Sequence, residues 1–184
     1  MMEPRWYELK VAGLTRKLQI LNISDTMAIA SFVILGDVEL VDKTATALVQ
    51  KVPKDIDYIL TAETKGIPLA AEMAKQLGHK RYFVARKSIK AYMDNPISVE
   101  DNSITTKGKQ NLYLSNSDVQ TIKGKRILLV DDVISSGGSM RALCELMNKA
   151  GAKVVGQAAI LAEGEAVNRE DIIYLERLPL FNAK

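Results

Sequence analysis

Residues 126–140 read RILLVDDVISSGGSM. An apolar run, 127–130, ends in two carboxylates, Asp131 and Asp132. A loop of small residues follows, Ser135, Ser136, Gly137, Gly138 and Ser139, and then a helical pattern over 140–150. A short apolar run bounded in this way predicts a buried strand that delivers both acids to its C-terminal end. Two successive glycines let backbone N–H groups turn inward without a Cβ clash. The helix N-terminus behind them offers unpaired donors and a partial positive charge, and the serine hydroxyls add more donors. Carboxylates repel phosphate but accept well from vicinal hydroxyls. The pattern therefore predicts a sugar phosphate as ligand, with ribose hydroxyls on Asp131 and Asp132 and the 5′-phosphate on 135–139.

Other phosphate motifs do not fit. There is no GxxxxGK[ST], and the loop lacks GxGxxG spacing. An unliganded strand–turn–helix with an acidic edge would need several independent residue types to coincide.

Composition narrows the class. A chain of 184 residues suffices for one domain with a sizeable core, and 47% hydrophobic with 26% charged is ordinary for a soluble protein. The net charge of +3 is too small to argue for nucleic acid. No apolar run reaches membrane-spanning length, and MMEPRWYELK carries no apolar signal region. The expected location is cytoplasmic. The single cysteine, Cys144, excludes an intramolecular disulfide framework and a multi-Cys metal site. Its neighbours Met140 and Met147 place it toward a core rather than as a nucleophile. His79 follows Gly78 at a helix end, where capping or exposure accounts for it.

Along the chain, residues 6–35 read as short strands punctuated by Gly13 and the 22–25 cluster. Leu40, Val41, Ala45, Leu48 and Val49 then recur at helical spacing, with Asp37 as N-cap and Pro53 beyond the end. Residues 58–61 predict a strand, 68–76 a helix stopped by Gly78, and 82–85 the next strand. Residues 87–110 are polar with little periodicity, a length often reserved for a functional lid. Residues 111–114 read as a strand, followed by a polar turn through Lys125. After the strand and helix of the opening motif come strands at 154–161 and 172–175. Alternating strands and helices predict an α/β fold whose ligands bind beyond the C-terminal strand ends.

The 126–140 stretch resembles the phosphoribosyl pyrophosphate signature of type I phosphoribosyltransferases: hydrophobics, two acids, two hydrophobics, then small-small-Gly-Gly-Ser/Thr. The resemblance covers essentially the whole chain and is greatest to the adenine (purine) enzymes. It implies a central, mostly parallel sheet flanked by helices, with a small N-terminal β hood. A single domain would span 1–184, with hood strands mainly in 1–35 and a flexible lid at 87–110. Glu63-Thr64-Lys65-Gly66 falls at the family's pyrophosphate loop, where Lys65 replaces the Arg of the adenine enzymes' Glu-x-Arg-Gly. A lysine can meet a diphosphate but lacks the fork of donors. Arg86, Lys87 and Lys90 resemble the RKxxK at the start of the adenine enzymes' loop. These cations are candidates for pyrophosphate, with Arg86 also near the base. Ile134 is the expected apolar wall against the ring.

The lid departs from the pattern. Where adenine enzymes carry Glu-Tyr-Gly, this chain has Thr106-Lys107-Gly108, which keeps the glycine and loses the acid. Glu100 and Asp101 lie earlier.

The resemblance implies transfer of ribose 5-phosphate from phosphoribosyl pyrophosphate to a purine base in purine salvage. Adenine is the first choice of base, with xanthine or guanine the alternative. It further implies Mg²⁺ carried with the diphosphate, no dedicated protein metal site and a homodimer. The second functional class is a non-catalytic regulator that binds phosphoribosyl pyrophosphate, although strands at 6–35 leave no room for a winged helix. A phosphoribosyl pyrophosphate synthetase fragment fits poorly, because those chains are much longer.

Overall fold

A computed structural model describes residues 4–101 and 110–183. Five parallel strands form the central sheet in the order β10-β9-β8-β4-β5: β4 Tyr58–Ala62, β5 Phe83–Ala85, β8 Arg126–Ile134, β9 Lys153–Glu163 and β10 Ile173–Leu178. Helices α1 Val38–Lys51 and α2 Ile67–Gln76 share one apolar cluster with Leu128 and Val130 of β8. Helix α4, Gly138–Lys149, shares a second cluster with Ile127 and Leu129. The strand β8 alternates between two buried faces, which is why its sequence reads as a continuous apolar run.

The hood is a four-stranded antiparallel sheet in the order β1-β2-β3-β11: β1 Trp6–Val11, β2 Leu14–Asn22, β3 Met27–Ala30 and β11 Leu180–Asn182. The N-terminal strands alone do not complete it. Strand β11 returns from the far end of the chain and pairs with β3, Leu180 opposite Ile29. Three residues leaving β10 are too few to show a period in the sequence. Arg16 on β2 fastens the hood to α1: its Nε lies 2.7 Å from Asp37 Oδ2, and its Nη2 lies 2.8 Å from Glu39 Oε2. Asp37 also accepts the Leu40 N–H at 3.0 Å, capping the helix as its sequence position predicts.

Two expectations change. The polar turn after residue 114 contains a helix, α3 Asn116–Ile122, with Val119 and Ile122 buried. Seven residues with two apolar anchors are too short for a helical period to emerge. Its start is ordered by Asp94, whose carboxylate accepts from the Ser115 hydroxyl and the Ser117 N–H. The supposedly irregular 87–110 segment holds strand β6, Ile97–Asp101, paired antiparallel with β7, Gln110–Leu114. Val99, Leu112 and Leu114 bury their side chains beside α4. Thr106-Lys107-Gly108 lies outside the described residues, as does the rest of 102–109.

No helix among the described residues is long and apolar enough to cross a membrane.

Candidate active site

Strand β8 does not stop at its acids; it continues to Ile134. What ends there is the pairing on one side. Against β4 the ladder closes at Leu60 opposite Leu129, while against β9 it continues to Ile134 opposite Ala162. Asp131 and Asp132 thus occupy the stretch where β8 has lost one neighbour, and the sheet opens into a cleft of about 450 Å³. The cleft is lined by 131–140 from β8 and the following loop, by 62–65 after β4, and by Lys87 and Glu163. Ile29, Ala30, Ser31, Phe32 and Val33 of the hood and Leu178 complete it.

The loop 135–139 is built as its glycines predict. Gly137 has φ +75°, and a Cβ there would lie 2.7 Å from Arg169 Nη1. No side chain caps α4, which leaves its first-turn N–H groups available to a ligand. Arg141 holds the loop from outside, donating from Nη1 to the Ser136 carbonyl at 2.9 Å.

The two acids differ in environment. Asp132 is 3% exposed, and Lys65 Nζ lies 2.8 Å from its Oδ2. This contact is ionic without hydrogen-bond geometry, and Oδ2 has no hydrogen-bond partner among the described residues. Lys65 also donates to the Phe32 carbonyl at 3.4 Å, joining the 63–66 turn to the hood. Asp131 keeps some exposure in the cleft. Loss of solvent on its protein side, then the charge of Asp132, raises its carboxyl well above the ordinary aspartate value. The Asp132 N–H donates to its Oδ1 at 2.9 Å.

Gly66 sits directly against Asp131. A Cβ there would lie 2.2 Å from Thr61 Oγ1 and 3.2 Å from Asp131 Oδ1. The 63–66 turn therefore packs backbone-first onto β8.

Glu63 holds the next strand end. It accepts the Lys87 backbone N–H at 2.9 Å and faces Arg86, whose Nη2 is 3.2 Å from Oε1. That N–H, with the Arg86 charge behind it, lowers the Glu63 carboxyl against the opposing effect of burial.

The expected site residues are thus only partly gathered. Asp131, Asp132, the 135–139 loop, Glu63, Thr64, Lys65 and Lys87 line one cleft. Arg86 does not line it, because Glu63 and a bridge to Tyr113 hold that residue. Lys90 also lies off the cleft, donating to Ser88 Oγ at 2.6 Å. Ile134 lines the cleft but is only 2% exposed and packs into the second apolar cluster, so its side chain is no free wall. Val133, half-buried against the hood-side cluster, lines the cleft beside it. Glu163, Phe32 and Val33 carry no motif that sequence reading could use.

The model of the phosphoribosyl transferase domain family matches residues 36–178. The chain belongs to that family. Among relatives of this phosphoribosyltransferase, the hypoxanthine/guanine phosphoribosyltransferase of Methanococcus voltae is 32% identical over 141 residues, 77% of this chain and 71% of the relative. That of Methanothermococcus okinawensis is 32% identical over 152 residues, 79% of each chain. Solved structures share the fold. Adenine phosphoribosyltransferase from Thermoanaerobacter pseudethanolicus superimposes with TM-score 0.65 at 24% identity, covering 78% of this chain and 84% of that one. The Leishmania tarentolae enzyme gives 0.60 at 21%, covering 77% and 70%.

Proposed function

We propose that this phosphoribosyltransferase transfers ribose 5-phosphate from phosphoribosyl pyrophosphate to a 6-oxopurine, releasing pyrophosphate. The observation that carries the reading is the joining, in one cleft, of the Asp131–Asp132 pair, the uncapped α4 N-terminus and Lys65. A 6-oxopurine is preferred to adenine for two reasons. The two relatives reported above, each 32% identical, are named for hypoxanthine and guanine. The adenine-like Arg86 is already held by Glu63.

In the reaction a ring nitrogen of the base attacks C1′ as the C1′–O bond to pyrophosphate breaks, the bonding pair leaves with pyrophosphate, and the base N–H proton passes to pyrophosphate or water. The transition state gathers positive charge at C1′ and negative charge on the leaving diphosphate. Asp131 accepts the ribose hydroxyls and lies near the developing positive charge. Loop 135–139 fixes the 5′-phosphate. Lys65 and Lys87 face the diphosphate. The protein's contribution is positioning and preorganised charge.

Among the described residues no group of three or more His, Cys, Asp or Glu is arranged to hold a metal. Two adjacent carboxylates fit a Mg²⁺ ion that arrives on the diphosphate and keeps most of its water and phosphate oxygens, and such an ion would neutralise the leaving charge.

Pyrophosphate release with adenine, guanine, hypoxanthine and xanthine tests the proposal. Turnover of a 6-oxopurine is expected. Phosphoribosyl pyrophosphate binding by calorimetry without turnover of any base would replace the enzyme with a regulator.

A further inference from the structure

Among the described residues four carboxylates line the cleft: Glu63, Asp131, Asp132 and Glu163. The first three are accounted for. Glu63 holds the Arg86–Lys87 strand end, Asp132 faces Lys65, and Asp131 is the ribose acid. Glu163 has no such assignment. Among the described residues its carboxylate has no hydrogen bond and no ion pair, although it is only partly exposed. Burial raises its carboxyl above the ordinary glutamate value, with the Lys65 charge pulling the other way.

Its place in the fold sets it on a different strand end from the 135–139 loop, beside the hood. Glu163 ends β9 in register with Leu178 of β10. Beside it the chain turns at Gly164, where a Cβ would lie 3.5 Å from Leu180 Cδ1 on hood strand β11. Leu180 in turn pairs with Ile29 on β3, the strand whose end lines the cleft. This end of the cleft is therefore walled by the hood, Val133 and Leu178, apolar apart from Ser31, and carries the Glu163 carboxylate, with the Lys65 ammonium near enough to act on it. The glycine loop serves the 5′-phosphate, and Lys65 is already paired with Asp132. A largely apolar slot with a single carboxylate suits a planar heterocycle that presents N–H donors along one edge.

We propose that Glu163 reads the acceptor base, its carboxylate accepting the ring N1–H of a 6-oxopurine and, in guanine, the adjacent 2-amino group as well. The proposal rests on the purine-transfer reading above and names the residue that selects the base. A carboxylate only accepts. The guanine edge offers two donors side by side and matches both oxygens. Hypoxanthine offers one. Adenine places its amino donor next to an unprotonated N1, so the second carboxylate oxygen would face a lone pair. Glutamine in this position presents an acceptor beside a donor, the complement of the adenine edge.

The test measures kcat/KM for guanine, hypoxanthine and adenine, and KM for phosphoribosyl pyrophosphate, in the full chain and in Glu163→Gln and Glu163→Asp. In the unaltered protein guanine should be preferred to adenine. In Glu163→Gln the guanine-to-adenine ratio should fall at least about tenfold, the scale of one misplaced hydrogen bond to a charged group. KM for phosphoribosyl pyrophosphate should stay within about twofold, and Glu163→Asp should retain the guanine preference. The same measurement with 1-methylguanine on the unaltered protein needs no variant to fold. Blocking N1–H should lower turnover at least about tenfold. An unchanged ratio in Glu163→Gln, or 1-methylguanine used as well as guanine, overturns the role of Glu163 and leaves purine transfer standing. A preference for adenine in the unaltered protein overturns both the role of Glu163 and the 6-oxopurine acceptor, and leaves purine transfer standing. No turnover with any purine removes the parent reading and this proposal together.

Discussion

Lys65 Nζ lies 2.8 Å from Asp132 Oδ2, across the seam where β4 and β8 part. The acid is 3% exposed, while the lysine side chain is 45% exposed. The cation thus compensates a charge buried in the sheet and still reaches the cleft where a diphosphate would sit. Ligand binding would redistribute this lysine between two anionic partners.

Lys65→Met should leave Asp132 buried without its counter-charge. For a fully buried pair the loss is about 3–5 kcal/mol. Exposure of the ammonium reduces that, and about 1–2 kcal/mol is expected. Thermal unfolding should show a fall in Tm of several degrees, and KM for phosphoribosyl pyrophosphate should rise about tenfold or more. Lys65→Arg keeps the charge and should recover stability. A Met variant as stable as the unaltered protein would show that Asp132 needs no partner.

Gly66→Ala tests the backbone-first contact of the 63–66 turn with β8. The new Cβ would meet Thr61 Oγ1 at 2.2 Å and Asp131 Oδ1 at 3.2 Å. Thr61 is fully buried, so its hydroxyl has little room to yield. A cost of about 1–3 kcal/mol follows, with weakened phosphoribosyl pyrophosphate binding because Asp131 is displaced. Thr61→Ala in the same background removes the 2.2 Å clash. The double variant should regain most of the stability and little of the binding, since the Asp131 contact persists. Denaturant melts and calorimetry separate the two effects.

Asp131 should set stability against function. Burial and Asp132 raise its carboxyl above the ordinary value of 3.8, so the folded chain binds this proton more tightly than the unfolded chain. Stability then declines as pH rises from the unfolded value through the raised folded value, and the deficit persists at neutral pH. Asp131→Asn removes that charge. At pH 7 it should unfold at higher temperature than the unaltered protein. It should also bind phosphoribosyl pyrophosphate about 10–100-fold more weakly, having lost a charged acceptor for the ribose hydroxyls. Below pH 4 the difference in Tm should shrink. A constant difference across pH would mean that Asp131 does not titrate abnormally.

What was legible in the chain was what lies contiguous in it. The acids, the serine–glycine loop and the helix behind them occupy one run of sequence, and their local order sets their local structure. The Asp37 cap was readable for the same reason. Contacts made by packing were not. Lys65 meets Asp132 only because β4 and β8 lie side by side, and the Arg86 side chain turns to Glu63 because β5 flanks β4. Glu163 carries no motif, since its position depends on β9 running eleven residues and ending beside the hood. The helix α3 and strand β11 are too short to display a period, and tertiary packing supplies what local propensity does not.

Gly137 and Arg169 give a further test of the phosphate loop. Gly137 has φ +75°, and a Cβ there would approach Arg169 Nη1 to 2.7 Å. Arg169 is itself held by Asp171 and donates to Gln157 Oε1 at 3.2 Å. Gly137→Ala therefore meets two separable obstacles. The left-handed backbone costs about 1–2 kcal/mol for any residue with a Cβ, and the guanidinium must also move. Arg169→Ala in the Gly137→Ala background removes the second obstacle only. A double-mutant cycle on stability should give a favourable coupling of about 0.5–2 kcal/mol, with a residual loss from the backbone. Binding of ribose 5-phosphate should remain impaired in the double variant, because the strained φ displaces the amides at the start of α4. Strict additivity would show that Arg169 yields freely and that the glycine is required by its backbone conformation alone.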